Sequence, residues 1–275
     1  MRYKEMALIR PSTTEALLAA AFTYPRLKDT NFEYPFKEAD GPMQHAYKLL
    51  GNEKLSQMHT YAIMAHEGRM PSFNQFMFDK YGFSNKLPGH IKDYGYDLDA
   101  VMAGIPDEKA KVVDIGGGNG NTILDFKEAY PQLGPNDLIV QDCYANVDSL
   151  PGITVMKWDF KDTTPQPVHG AGVYILQHIL HNNPDLQAVA ILQKVAKAMT
   201  ADSRLFVVEF TKHTGLASVH ASMISLYGGR ERSSAEYKQM AELAGLEVTF
   251  EGYRFYDECV VEMRKKTQMA VPKYK

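Results

Sequence analysis

The run Val112-Val113-Asp114-Ile115-Gly116-Gly117-Gly118-Asn119-Gly120 constrains this chain more than any other stretch. Its first four residues, apolar but for Asp114, read as a short buried strand that the glycines end. Asn121-Thr122-Ile123-Leu124-Asp125-Phe126 then resumes at helical spacing, and Ile123, Leu124 and Phe126 are expected to share one face. The stretch is therefore a strand, a glycine turn and a helix. Glycine reaches φ > 0 and lets a ligand approach the backbone closely. A helix N-terminus behind the turn adds N–H groups and partial positive charge. A tight turn in any α/β protein would read the same way. The dinucleotide fingerprint G-x-G-x-x-G needs its third glycine at Asn121, which disfavours a nicotinamide enzyme.

The bulk properties narrow the partners. The 275 residues carry a net charge of −3 and are 45% hydrophobic, enough for a sizeable core and no attraction for nucleic acid. The basic cluster Arg264-Lys265-Lys266 reads as a solvated tail. Cys143 and Cys259 form no metal or redox spacing, so reduced thiols in a cytoplasmic protein are expected. No apolar run reaches the length of a membrane span, and Met1-Arg2-Tyr3-Lys4-Glu5 leads into no secretory core.

Two regions differ in pattern. Residues 1–100 read as a helical segment with few strand signals. Helical spacing runs over 13–22, with Ser12 or Thr13 as cap, over 43–50, and as one element from Glu53 through Met64 to His66. Methionines and aromatics concentrate from Met58 to Phe83, among them Tyr61, Met64, Met70, Phe73, Phe76, Met77, Phe78 and Tyr81. They suit an apolar small-molecule pocket, and ordinary helix packing accounts for them too. Residues 101–275 alternate strand and helix, with strands expected over 112–115, 138–140, 153–156, 173–176 and 205–208. A helix over 185–199 should bury Leu186, Val189, Ala190, Leu192, Val195, Ala196 and Met199. Another over 233–244 should stop at Gly245. A final pair over 246–250 and 259–263 completes a doubly wound, Rossmann-like α/β sheet of seven strands with an antiparallel edge.

In such a sheet, ligands sit beyond the carboxyl ends of the parallel strands, so polar residues there matter most. The second strand ends at Gln141-Asp142, 22 positions after Gly120, where an acid can accept from ribose hydroxyls. The third runs into Trp158-Asp159-Phe160, which could bind and stack an adenine or merely pack. The fourth leads to Gln177-His178-Ile179-Leu180-His181-Asn182-Asn183, the fifth ends with Glu209, and Glu231 lies in the loop before the next helix. An imidazole near neutrality flanked by two carboxylates can strip a proton from a bound hydroxyl. His178 and His181 with Asp185 fit no standard zinc spacing, so no metal is expected.

The run Asp114 to Gly120 has the form D-x-G-G-G-x-G. With Gln141-Asp142, Trp158-Asp159-Phe160, Pro165-Gln166-Pro167-Val168, Tyr174 to His181, Val208-Glu209 and Gly228-Gly229-Arg230-Glu231-Arg232-Ser233, it resembles one family. That family is the S-adenosylmethionine (SAM)-dependent O-methyltransferases, including caffeate-type plant enzymes and fungal polyketide O-methyltransferases. The resemblance implies a class I methyltransferase domain over 101–275, with 1–100 as a helical substrate-pocket and dimerisation segment. It implies His181 as general base flanked by Glu209 and Glu231, and SAM held by Asp114, Gly116, Gly118, Asp142, Asp159, Phe160 and Gln177. It further implies a hydroxylated aromatic or polyketide substrate and a homodimer. The sequence departs from the family at three points. Asn182-Asn183 stands where Asp-Trp is usual, Gln177 where Arg or Lys reaches toward the cofactor, and the chain begins late against the winged-helix segment. These departures leave open a SAM-bound cyclase or pericyclase that does not consume SAM, and a non-catalytic binding protein.

Overall fold

The computed structural model describes residues 17–33, 37–81, 86–144, 148–212, 215, 217–254 and 257–266, with backbone only for 78–81. Seven strands form one sheet: β1 (Val112–Ile115), β2 (Leu138–Asp142), β3 (Thr154–Lys157), β4 (Val173–Gln177), β5 (Arg204–Phe210), β6 (Leu246–Gly252) and β7 (Glu258–Lys265). Their order is β3-β2-β1-β4-β5-β7-β6. The first five are mutually parallel, and β7 lies antiparallel between β5 and β6. All four residues of β1 are buried, because helices cover both faces of a parallel sheet.

Eleven α-helices accompany the sheet in the described residues. Helix α1 covers residues 17–29, and α2 (Pro42–Leu49), α3 (Glu53–Ser56), α4 (Thr60–His66), α5 (Met70–Tyr81), α6 (Leu87–Asp93) and α7 (Leu98–Ala103) follow before the sheet. Within the sheet region lie α8 (Asn121–Ala129), α9 (Asp185–Ala198), α10 (Ala217–Tyr227) and α11 (Ser234–Leu243). One core joins α9 and α11 to one face of the sheet, and a second joins α6, α7 and α8 to the other. A third and smaller core, Ala19, Met43, Tyr47, Leu55 and Ile63, lies within the preceding helices. These helices dock on α10, where Thr23 Oγ1 donates to Ser225 Oγ at 2.8 Å and Thr60 Oγ1 donates to the Leu226 carbonyl.

Several expectations change. The element expected from Glu53 to His66 is two helices. Asn52 caps the first through the Leu55 N–H, and His59 Nδ1 caps the second by accepting from the Ala62 N–H. The expected cap at Ser12 or Thr13 lies outside the described residues. Leu124 is exposed while Ile123 and Phe126 are fully buried. In α9 Leu192, Val195 and Ala196 are buried as expected, as is Met199 just beyond it, together with Ala188, Ile191 and Ala198, while Leu186 and Ala190 face solvent. That helix carries apolar residues on two adjoining stripes, and only its seat on the sheet chooses between them. Arg264 and Lys265 belong to β7, paired with Glu247 and Leu246, and are not a tail.

Candidate active site

The glycine turn lies where β1 sits between β2 and β4, the point at which the strand order reverses. Gly116, Gly118 and Gly120 have φ of 71°, 56° and 85°. A Cβ on Gly116 would stand 2.5 Å from Ile179 Cδ1, and one on Gly117 would overlap the Asp114 carboxylate. At Gly118 a Cβ would meet nothing within 4 Å, so its φ and not crowding requires glycine there. Asp142 Oδ2 accepts from the Gly118 N–H at 3.0 Å and Oδ1 from the Tyr144 N–H at 2.6 Å. The acid expected to meet ribose thus also braces the turn.

Asp114, Gly116, Gly118, Asp142, Asp159, Phe160 and Gln177 all line one cavity. Asp125 lines it as well, so four carboxyl groups gather around the turn. Burial, with repulsion from Asp142 and Asp125, pushes the Asp114 carboxyl up to about 7. Among the described residues its Oδ2 has no hydrogen-bond partner. An acid-rich cradle with a buried, unsatisfied carboxylate oxygen fits a cationic nucleoside such as SAM. At the cavity wall Gln177 accepts from Thr122 Oγ1 at 2.5 Å and donates to Glu258 Oε2 at 3.3 Å. Trp158 packs in the core, its Nε1 donating to Thr164 Oγ1 at 3.0 Å, and only Phe160 of that pair reaches the cavity.

Beyond β4 the chain turns sharply. His178 adopts φ of 54°, a left-handed conformation that costs a non-glycine residue on the order of 1 kcal/mol. A single 3-10 turn, Leu180–Asn182, follows. Glu209 Oε1 accepts from the Ile179, Leu180 and His181 N–H groups at 3.1, 2.7 and 3.3 Å. His181 Nδ1 lies 2.8 Å from Glu231 Oε1 and 3.3 Å from Glu209 Oε2. The imidazole and both expected carboxylates therefore meet. Glu209 is not a strand end: β5 runs one residue further, because β7 continues the pairing with Phe210 opposite Glu258. Burial, against the pull of His181, pushes the Glu209 carboxyl up.

The loop is anchored from below by Arg232, which is fully buried. Its guanidinium donates to the Leu180 carbonyl at 2.8 Å, the Asn183 carbonyl at 2.8 Å and Asp185 Oδ1 at 2.9 Å. Asp185 also pairs with Arg230 at 2.8 Å. It is committed to two guanidinium groups, and the carboxylate that converges with His178 and His181, ligand atoms within 4.8 Å of one another, is Glu209. Asn182 Nδ2 donates to Tyr61 Oη and the His178 carbonyl, both at 2.9 Å, and Asn183 Nδ2 donates to the Ile179 carbonyl at 2.6 Å. The two asparagines hold the loop and its contact with the helical segment.

His178, Asn182 and Asn183 line the cavity, but among the described residues His181 does not. Its ring stands behind that of His178, centroid to centroid 5.3 Å. The opposite wall comes from the helical segment. Tyr61 stacks on Tyr227 at 5.3 Å and meets Phe73 edge-on at 5.4 Å, and Met70 and Met77 complete the wall. The methionine-aromatic run therefore divides between both readings, since Met64 is buried in packing and Met58 rests on the small core. Side chains of Phe78, Tyr81 and Phe83 lie outside the described residues. The segment is latched to the stretch after β3 by Glu38, which accepts from the Thr60 N–H at 3.0 Å and pairs with Lys161 at 2.8 Å.

Glu258 is the site residue that sequence reasoning missed. It accepts from Gln177 and lies 2.6 Å from His178 Nε2. The signal was faint but physical: an antiparallel strand begins at the rim where its parallel neighbours end, so an acid opening β7 belongs to the same rim.

Comparison with known proteins gives the family and the fold. Residues 104–247 match the profile of the O-methyltransferase domain. The O-methyltransferase bfoE of Aspergillus brasiliensis is 47% identical over 255 residues, 92% of this chain and 68% of that one. Demethylsterigmatocystin 6-O-methyltransferase of Aspergillus flavus is 37% identical over 149 residues, 51% of this chain and 38% of that one. LepI in complex with SAM superposes with a TM-score of 0.79 at 24% identity, over 95% of this chain and 67% of that one, a likeness of fold. The chain thus spans about two thirds of the first relative's length. A match over more than half of its residues, together with that relative, makes the chain a member of the O-methyltransferase family.

Proposed function

We propose that this SAM-dependent O-methyltransferase acts on a phenolic or enolic hydroxyl of a polyketide-like secondary metabolite, with His181 as general base. The observation that carries this reading is the 2.8 Å contact of His181 Nδ1 with Glu231, on the loop whose His178, Asn182 and Asn183 share one cavity with the acid-lined glycine turn. When bound, SAM supplies an electrophilic methyl group on a sulfonium.

The chain's own residues do the rest. Nδ1–H donated to Glu231 fixes the tautomer whose basic nitrogen is Nε2, and the Glu209 and Glu231 carboxylates stabilise the imidazolium that forms. Glu209 holds the turn through three amides, so the ring and its carboxylates move as one body. Asp114, Gly116, Gly118, Asp142, Asp159, Phe160 and Gln177 would hold SAM. Tyr61, Phe73, Met70 and Met77 would seat a flat apolar substrate. The relative that methylates demethylsterigmatocystin supports an aromatic substrate. Residues 1–100 then serve as the pocket-closing and dimerisation segment. Reduced Cys143 and Cys259, both free thiols, suit the cytoplasm.

The test is a methyl-labelled SAM assay against hydroxylated aromatic polyketides. Labelled product and S-adenosylhomocysteine are expected together. His181→Ala should lower turnover by about 10²- to 10⁴-fold and leave S-adenosylhomocysteine binding in place by calorimetry. Isomerised product with SAM unconsumed would overturn the reading, and undiminished turnover by that variant would remove His181 as base.

A further inference from the structure

The helical segment and the rim of β2 meet at Tyr144, which the mechanism above leaves unused. Its main chain is held from both halves of the molecule. The N–H donates to Asp142 Oδ1 at 2.6 Å, and the carbonyl accepts from Asn74 Nδ2 at 2.9 Å. Its ring crosses to the helical wall, where Oη lies 3.2 Å from His59 Nε2 and the two rings meet edge-on at 5.9 Å. Both residues are partly exposed and both line the cavity.

The direction of this hydrogen bond is fixed. His59 Nδ1 accepts from the Ala62 N–H at 3.1 Å, and an amide can only donate, so Nδ1 carries no proton. Burial, with Lys161 nearby, holds the imidazole far below its ordinary value, down to about 3, so the ring is neutral. Its one proton is therefore on Nε2 and goes to Tyr144 Oη. Burial, with Cys143, Asp159 and Asp142 close by, keeps the phenol itself well above its ordinary range. The tyrosine thus keeps its proton, and among the described residues that proton has no acceptor.

We propose that Tyr144, held by His59, is a specificity-determining residue that donates a hydrogen bond to a second oxygen of the substrate, remote from the hydroxyl that is methylated. The substrate class is thereby narrowed to flat aromatic compounds with a carbonyl or ether oxygen at the end away from the reacting hydroxyl. This rests on the O-methyltransferase reading.

Position assigns that oxygen to the substrate and not to the cofactor. Oη stands at the helical wall: His59 caps the helix that carries Tyr61, and Asn74 shares α5 with Met70, Phe73 and Met77. Those are the side chains that would seat a flat ring. The spacing agrees as well. Tyr144 follows β2, the proposed base follows β4, and β1 lies between them, so the two ends are roughly 10 Å apart, two strand spacings. A fused bicyclic ring with an oxygen at each end has that span.

The experiment measures binding by fluorescence to the full chain loaded with S-adenosylhomocysteine. The probes are 2-naphthols with an acetyl group at position 5, 6 or 7. Each is compared with the counterpart in which isopropenyl replaces acetyl, a group of the same shape without an acceptor. At one position or more the wild type is expected to prefer the ketone by about 5- to 10-fold, the worth of one neutral hydrogen bond. Tyr144→Phe should bring that ratio to about 1 and leave the affinity for S-adenosylhomocysteine within about 2-fold. In His59→Asn the new side chain still caps α4, because asparagine is a good N-cap, but it is too short to hold Tyr144. The ratio should then fall part of the way, with an unchanged circular dichroism spectrum. A wild type without preference at any of the three positions overturns the proposal. So does a preference that survives Tyr144→Phe, and so does a Tyr144→Phe variant whose loss is confined to S-adenosylhomocysteine binding, which would put the hydroxyl on the cofactor. If S-adenosylhomocysteine itself fails to bind the wild type, the methyltransferase reading falls instead.

Discussion

Single residues set the electrostatics of this site. Asp114 sits under the glycine turn with its carboxyl raised to about 7 from an ordinary 3.8, by burial and by Asp142 and Asp125. Between those values the folded chain binds more protons than the unfolded one, so this group makes stability fall as pH rises from about 4 to 7. The slope is on the order of 1.4 kcal/mol per pH unit at most. Asp114→Asn is expected to flatten that part of the profile, measured by thermal unfolding of the ligand-free protein at each pH. A profile of unchanged slope would rule out Asp114 as its source. Asp114, His181 and Glu231 could be named from the chain because each lies in a short motif. The proton positions could not, since they follow from carboxylates that tertiary contacts bring from 50 residues away.

Elements decide how those residues are held. The loop after β4 carries His178 and His181, and it is fixed by two others: β5 through Glu209, and the segment before α11 through Arg232. Arg232 caps two carbonyls and pairs with Asp185 in a geometry suited to a planar guanidinium. Arg232→Ala is expected to cost on the order of 3 kcal/mol by leaving two buried carbonyls without their donor, while Arg230 still pairs with Asp185. Arg232→Lys should recover little, because an ammonium cannot reach three acceptors in one plane. Urea unfolding measures both, and full recovery by lysine would show that charge alone matters. The strand-turn-helix around the glycines was legible because glycine and apolar periodicity are local signals. The rotation of α9 was not, since Leu186 and Ala190 continue an apolar pattern that only the sheet's position breaks.

At the scale of the molecule, the helices before β1 form one wall of the cavity and the sheet's carboxyl rim the other. Glu38–Lys161, His59–Tyr144 at 3.2 Å and the Asn74 side chain donating to the Tyr144 carbonyl at 2.9 Å join the two halves. The same helices leave Leu17, Tyr24, Leu49 and Leu50 exposed by more than half. A homodimer that buries them is expected at micromolar concentration in sedimentation velocity, and Leu49→Glu with Tyr24→Glu should shift it toward monomer. A monomer across that range would sink the dimer. No helix in the described residues is long and apolar enough to cross a membrane.

The amino-acid sequence by itself determined the alternation of strands and helices, the glycine turn and the short motifs that carry His181, Glu209 and Glu231. Each depends on residue type and on spacing within a few positions, and such signals survive without knowledge of neighbours. Tertiary structure alone decided that His178 and not His181 lines the cavity, that Glu258 belongs to the site, and that the asparagines tie the loop to Tyr61. Those facts depend on how an antiparallel strand and a distant helix approach one rim, and packing sets that approach rather than any local pattern.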